Sequence, residues 1–232
     1  MEHWVYTASI FGHGVSFNMD TILTMWFTML LLIVLALLTT RNLNMVPGKL
    51  QLVGEGIIKY FNDISKASMG NENAQKHIAI ILTLFMFILT ANLVGQLPLK
   101  LIHLANGELA SPNNDINMTA AMAIVVALYC MYYGIKVNGF KYFFKGWSMG
   151  DLIITLIDTL ELFVRPFSLA LRLFANILAG ELLVATFISL CAVVLPLPFM
   201  LFELFVALIQ ALVFTLLSTT YISMAINEEK SE

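Results

Sequence analysis

Charged and amide side chains interrupt the apolar second half of this chain, and their types are those that bind protons or ions. They are Asp158, Glu161, Arg165, Arg172, Asn176, Glu181, Glu203 and Gln210. A charged side chain at the middle of a membrane helix costs at least about 2.5 to 3.5 kcal/mol, so such residues commonly mark ion pathways or substrate sites. These residues therefore predict a role in ion transfer. The alternative is that they form a hydrogen-bonded network that packs the helices together and has no transport role.

Arg172 is the member of this group that most needs a partner. Its guanidinium stays charged at neutral pH, and it lies deep inside a long apolar segment. Glu181 is nine residues further on and, at about 100° per residue, points to the opposite helix face. The counterion of Arg172 is therefore a carboxylate on the last helix or one on another subunit. Asn176 lies one turn beyond Arg172 on the same face.

The prolines at 196–198 predict a turn between two long antiparallel helices. Such a hairpin places Glu181 and Glu203 at similar depth and Arg172 near Gln210. Two carboxylates close together in a desolvated site cannot both stay ionised without cost, which suits a proton relay.

Asp158, Glu161 and Arg165 lie nearer the start of the same long segment. Their simplest interpretation is that they extend towards the membrane surface and pair with one another. Glu161 and Arg165 are four residues apart, which predicts an ion pair on one helix face.

The composition places the whole chain in a membrane. Of its 232 residues, 59% are hydrophobic and 12% charged, and the mean hydropathy is +0.87. An ordinary soluble domain has about 25% charged residues, and the composition also excludes a disordered or nucleic-acid-binding chain. The sequence also lacks the segments of about ten residues, alternating between apolar and polar side chains, that are typical of membrane β-barrel strands. The apolar stretches cover residues 21–38, 78–99, 118–135, 152–164, 166–195 and 199–226.

These stretches predict an all-α, polytopic membrane protein with five crossing helices in a single domain over 1–232. Residues 1–20 form an outer-side amino end, and 49–76 form an interfacial amphipathic helix because apolar residues recur there on one face. Residues 151–195 would be about 67 Å long as a helix, more than twice the bilayer's hydrocarbon thickness. We therefore expect 151–226 to form a strongly tilted hairpin that carries the ion path.

The basic residues predict the orientation. Nine of the twelve lie in segments that five crossings place on one side, and Lys100 alone lies on the other. By the positive-inside rule the amino end is outside and the carboxyl end cytoplasmic. The two remaining basic residues, Arg165 and Arg172, are inside the apolar region.

Other kinds of site find little support in the sequence. The four histidines show no metal-ligand spacing, and no cofactor, metal or hydrolytic constellation is expected. A self-contained secondary transporter with an intramembrane Arg/Glu site is the alternative function, although the inverted repeats typical of transporters are absent.

The run from Arg165 to Leu183, which contains Arg172-Leu173-Phe174-Ala175-Asn176 and Ala179-Gly180-Glu181, resembles the signature helix of subunit a of F-type ATP synthases. The last helix, with 203–211 and 221–225, is similar to the carboxyl-terminal helix of that family. The segments 47–49, 92–98 and 112–117 agree with further family landmarks, and the resemblance covers about 20–229.

The resemblance implies a non-catalytic, proton-translocating Fo subunit in the bacterial plasma (inner) membrane. Its expected partners are the c-subunit ring, the b subunits of the peripheral stalk, the F1 sector and membrane lipids, with no nucleic acid. Arg172 matches the essential arginine that faces the ring between two aqueous half-channels. The other matched ion-path positions are Glu181, Glu203 and Asn92 on the outer side, Asn176 and Gln210 beside the arginine, and Asp158 towards the cytoplasm.

Overall fold

Six α-helices dominate the computed structural model, which describes residues 5–10, 13–41, 45–96, 103–104, 107–108, 112–139, 149–190 and 196–227. The helices are α1 (Met19–Thr40), α2 (Lys49–Met69), α3 (Asn71–Gln96), α4 (Ile116–Asn138), α5 (Met149–Leu190) and α6 (Pro196–Asn227). Two short antiparallel strand pairs lie outside them: β1 (Val5–Ile10) with β2 (His13–Asn18), and β3 (His103–Leu104) with β4 (Gly107–Glu108). A 3₁₀ turn over Pro112–Asn114 precedes α4.

Five of these helices are long and apolar enough to cross a membrane, and they are α1, α3, α4, α5 and α6. The prediction of an all-α polytopic membrane protein is therefore confirmed. The last two are overlong as expected: α5 has 42 residues and α6 has 32, which is about 63 Å and about 48 Å at 1.5 Å per residue. Their strong tilt stays a prediction.

Gly70 divides the segment that was expected to form one amphipathic helix over 49–76. It separates α2 from α3 with φ at +82°, in the left-handed region that favours glycine. Residues 71–76 consequently form the first turns of α3. The buried face of α2 packs against α3 through Phe61 and Phe85, whose ring centroids are 4.6 Å apart. Near its end, the Ser68 carbonyl accepts a 2.6 Å hydrogen bond from the Ser223 hydroxyl of α6.

The core of the bundle lies where α3, α4 and α5 meet α6. Ile81 and Ile88 of α3, Leu173 of α5 and Phe214 of α6 are fully buried there. Lipid tails are as apolar as these side chains, so close packing rather than hydrophobic burial holds membrane helices together. Small residues permit the close approach, and Ala211 is completely enclosed on α6.

Buried hydroxyl groups within the spanning helices are satisfied by their own backbone. On α6, Thr215, Ser218 and Thr219 each donate to the carbonyl four residues earlier, at 2.8 Å. Thr28 of α1 does the same at 2.8 Å. Because the hydrocarbon offers no water for hydrogen bonding, this internal pairing lets α1 and α6 carry polar residues through a dry interior.

Candidate ion path

Helices α5 and α6 form the predicted antiparallel hairpin. Near the turn, the rings of Phe187 and Phe199 stack with centroids 4.1 Å apart. Further from the turn, Gly180 lies against the side chain of Glu203. From Phe187 back to Gly180 the residue numbers of α5 fall, while those of the contacted residues on α6 rise from 199 to 203. The two helices are therefore antiparallel. The contact at Gly180 also brings Glu203 beside the residue that precedes Glu181 in the chain.

A larger residue at Gly180 would displace the Glu203 side chain. A Cβ atom at this position would lie 2.8 Å from Cδ and 3.2 Å from Cγ of Glu203. The glycine therefore lets the half-buried Glu203 side chain lie directly on the backbone of α5. Sequence reasoning selected Glu203 but did not identify Gly180 as the residue that makes space for it.

At the other end of the hairpin, Arg165 joins the two helices. Its guanidinium lies over the ring of Tyr221 of α6, 5.2 Å from the centroid, a cation–π arrangement. The ion pair between Arg165 and Glu161 that the spacing predicts is present. A cation near this end of the apolar segment is thus balanced within its own helix.

Arg172 differs from Arg165 because it is exposed on the surface of α5. The helix buries Leu169 and Leu173 instead. Among the described side chains, the guanidinium of Arg172 forms no ion pair or hydrogen bond. The chain thus presents a permanent cation at its surface, within a helix long enough to span the bilayer.

Small residues surround Arg172 on its own helix face. Ser168, Ala175 and Ala179 are four residues before it and three and seven after it, and all three are exposed. These spacings place them on one side of an α-helix. The stripe they form with Arg172, here called the arginine stripe, has little side-chain bulk to keep another helix away.

Gln210 carries an unmet hydrogen-bonding group inside the protein. Its side chain is 7% exposed, and its Nε2 atom is buried without a partner among the described residues. Leaving a buried donor unpaired costs about 1 to 3 kcal/mol.

Asn176, the other amide predicted to lie beside the arginine, is half-buried on α5. The predicted proximity of Arg172 and Gln210 stays a prediction.

Asn92 links three parts of the chain. Its Nδ2 atom donates to the carbonyl oxygen of Ala207 on α6 at 3.2 Å, and its Oδ1 atom accepts from Nδ2 of Asn113 at 2.7 Å. Both asparagines are buried, and Oδ1 of Asn113 is enclosed without a partner within the described part of the chain. Ala207 lies one turn from Glu203 and nearly one turn from Gln210 on α6. The network therefore touches the helix that carries two predicted ion-path residues.

Asn113 belongs to this hydrogen-bond network, although the sequence analysis did not select it as a candidate site residue. The only available signal was its place in the polar segment at 112–117, which precedes a spanning helix.

Two further predicted ion-path residues, Asp158 and Glu181, lie on α5, but their side chains are outside the described residues. Over the ranges that the structure describes, no three His, Cys, Asp or Glu side chains are grouped as a metal site.

These features define a polytopic α-helical membrane protein with ionisable and amide groups inside its spanning helices. Comparison with known proteins narrows this class. Residues 22–223 match the family described as ATP synthase A chain. ATP synthase subunit a from Gloeobacter violaceus is 41% identical over 209 residues, which cover 90% of this chain and 84% of the relative. The chain belongs to the ATP synthase subunit a family and is an integral multi-pass membrane protein.

Gly180→Ala is predicted to impair ion transport by displacing Glu203, since the added methyl group overlaps that side chain. We expect ATP-driven proton pumping by the assembled complex in vesicles to fall several-fold. Combining Gly180→Ala with Glu203→Asp, which is shorter by one methylene, should restore part of the loss relative to Gly180→Ala alone. Gly56→Ala is the matched control, because nothing lies within 4 Å of a Cβ there. Normal pumping in Gly180→Ala would show that the contact is unimportant.

Asn92→Ala is predicted to loosen the attachment of α3 to α6. It removes the hydrogen bond to Ala207 and leaves the buried Asn113 amide without its acceptor, a loss of about 1 to 3 kcal/mol. The thermal unfolding midpoint of the detergent-solubilised protein should fall by several degrees. Asn71→Ala, at an exposed position, should leave the midpoint unchanged; equal midpoints in both variants would contradict the role of the network.

Proposed function

We propose that this chain is the stator subunit of the Fo sector of a rotary ATP synthase, and that it couples proton flow through two aqueous half-channels to rotation of a c-subunit ring. The observation that carries the proposal is the exposed Arg172 guanidinium, which has no partner among the described side chains. Family membership supplies the context of the complex.

The first step of the argument is the free-energy cost of leaving Arg172 in contact with lipid. A charged residue at the bilayer centre costs at least about 2.5 to 3.5 kcal/mol, and arginine cannot avoid this by losing a proton. A second protein surface must therefore cover it. The arginine stripe supports this, because its small residues allow a helix of another subunit to approach closely.

The second step concerns the chemistry of the covering subunit. A guanidinium pairs best with a carboxylate, which it can bind through two parallel hydrogen bonds. Each c subunit would bring one carboxylate past Arg172, and the cation would stabilise that carboxylate in its ionised form. A c subunit would then release its proton before it reaches Arg172 and bind another after it has passed. Protons would not cross the membrane unless the ring turns.

The third step is the route from the outer side. Glu203 on α6 lies beside Gly180, next in the chain to Glu181, as a relay of two carboxylates requires. The Asn92–Asn113 pair and Gln210 contribute buried amide atoms without protein partners among the described residues. Such atoms are suited to bind water, which enters protein interiors where several polar groups converge. We assign this polar region to the outer half-channel.

The remaining assignments follow from the resemblance and from charge. Asp158 would serve the cytoplasmic half-channel, and Asn176 would lie beside the arginine. The b subunits and the F1 sector complete the complex, and ATP chemistry takes place outside this non-catalytic subunit. The resemblance favours a bacterial inner-membrane protein, and the positive-inside count supports an amino end on the outer side. We also propose a single membrane domain, with α2 in the interface, since its charged and apolar residues occupy different faces.

The alternative of a self-contained secondary transporter requires the counterion of Arg172 to come from this same chain. The described side chains supply none. The stator function accounts for the exposed cation and for the small residues around it, and we therefore prefer it.

Arg172→Ala is predicted to leave the complex assembled while abolishing both ATP synthesis driven by an ion gradient and ATP-driven pumping. The variant removes the charge that would hold the ionised ring carboxylate. Both activities are measured in vesicles, with co-purification of the c ring as the test of assembly. Arg41→Ala is the control, because this arginine is exposed at the end of α1. Near-normal coupled pumping in Arg172→Ala would overturn the proposal.

Glu181→Gln and Glu203→Gln are predicted to slow proton translocation and to change its pH dependence. Each variant replaces a proton-binding carboxylate with an amide of nearly the same shape, so packing is retained. The double variant should be slower than either single one, since the two groups would pass protons to each other. Pumping rates measured across a pH series test this. Unchanged pH profiles would remove both carboxylates from the relay.

A further inference from the structure

We infer that one water molecule is bound between α4, α5 and α6, where it accepts a hydrogen bond from the Arg165 guanidinium and donates one to the backbone carbonyl oxygen of Leu162. This inference concerns the packing of α5 and does not depend on the proposed ion path. It rests on the proline within α5, on the size of the space beside that proline and on the polar groups that line this space.

Pro166 leaves one carbonyl group of α5 without its usual donor. The helix is continuous from Met149 to Leu190 although it contains this proline. Proline has no backbone N–H group, and its ring crowds the carbonyl oxygen four residues earlier, which belongs to Leu162. Among the described side chains, none donates a hydrogen bond to that carbonyl group. Because the hydrocarbon of a bilayer offers no donor, carbonyl groups freed by proline are satisfied by neighbouring helices, side chains or ordered water.

Leu162 and Pro166 both line a small space between the helices. Leu169 of α5 lines it as well, together with Val126 and Cys130 of α4. The space leaves about 20 Å³ for the centre of a water-sized sphere, and a bound water molecule needs at least about 10 to 15 Å³. It therefore fits a single water molecule and no larger ligand.

Arg165 lines the same space and supplies a hydrogen-bond donor. Its guanidinium has five N–H groups, and within the described part of the chain a single hydrogen bond leaves it, to Glu161. Donors therefore remain for a water molecule. The ion pair with Glu161 already balances the charge of Arg165, so an ion bound here would add an uncompensated charge. The ligand that fits is neutral.

Cys130 offers a third, weaker hydrogen-bonding partner. The residue is buried, and a thiol group can donate or accept a weak hydrogen bond. Buried water molecules typically form about three hydrogen bonds with protein groups that are otherwise unpaired. A water molecule here would accept from Arg165 and donate to the Leu162 carbonyl oxygen and to the Cys130 sulfur atom, which meets this requirement.

The depth of the site allows water to reach it. Tyr221, which also lines the space, is six residues before the end of α6, or about 9 Å along the helix. Helix α6 is about 48 Å long against a hydrocarbon thickness of roughly 30 Å, so its ends project beyond the acyl chains. The site then lies near the membrane surface, on the side that the charge count predicts to be cytoplasmic. The water molecule would support the part of α5 between that surface and Arg172.

The direct test is a cryo-EM map of the intact complex at a resolution that shows ordered water. We expect a density peak within hydrogen-bonding distance of both the Leu162 carbonyl oxygen and a guanidinium nitrogen of Arg165. In Pro166→Ala the backbone N–H group at position 166 is restored, so the carbonyl oxygen should bond within the helix and lose its contact with the peak. A map of the unchanged complex without the peak, or with a protein group bonded to the carbonyl oxygen, would overturn the inference.

A second test fills the space and measures stability. Val126→Ile adds one methyl group to a buried side chain that lines the space. It should lower the thermal unfolding midpoint of the detergent-solubilised protein by several degrees, because displacing the water leaves the carbonyl group unpaired. The same substitution in a Pro166→Ala background should lower the midpoint much less.

Val125→Ile is the matched control for this second test. The side chain of Val125 is exposed on the same helix, so the added methyl group should leave the midpoint unchanged. Equal decreases for Val126→Ile in the two backgrounds would show that the methyl group only crowds its neighbours, and this result would contradict the bound water molecule.

Discussion

A permanent positive charge in a spanning helix is the constraint on which the rest of this structure depends. Arg172 cannot be neutralised by losing a proton, and the described part of the chain gives it no counterion. Helix α5 buries its neighbours Leu169 and Leu173 and leaves the arginine on the outside. The fold thus keeps the cation available for another molecule. That arrangement is costly for an isolated chain, and the partner subunit that we propose would remove the cost by covering the arginine.

The α5–α6 hairpin is held together by contacts along its length. Contacts near both ends fix α5 against α6: Phe187 stacks on Phe199, and Arg165 lies over Tyr221. Between them, Gly180 admits the Glu203 side chain. Because these contacts resist sliding of one helix along the other, the depth of each ionisable group is set by packing. The two arginines have different roles as a result: one joins the hairpin and the other faces outwards.

Much of this architecture could be predicted from the sequence, because hydrophobic run length and charge position are local properties. The five spanning helices, the hairpin and the ion pair of Glu161 with Arg165 are of this kind. The break at Gly70 was not predicted, because charged residues continue past it at Glu72 and Lys76. The roles of Gly180 and Asn113 depend on contacts between segments far apart in the chain. Pattern alone contains no information about such contacts, so only the folded structure reveals them.

The most direct measurement is a cryo-EM map of the intact complex at a resolution that shows side chains. The account predicts that the arginine stripe faces the c ring, with the Arg172 guanidinium within hydrogen-bonding or water-bridged distance of a ring carboxylate and no lipid between them. A map in which Arg172 faces lipid, or pairs with a carboxylate of its own chain while the ring lies elsewhere, would contradict the central claim.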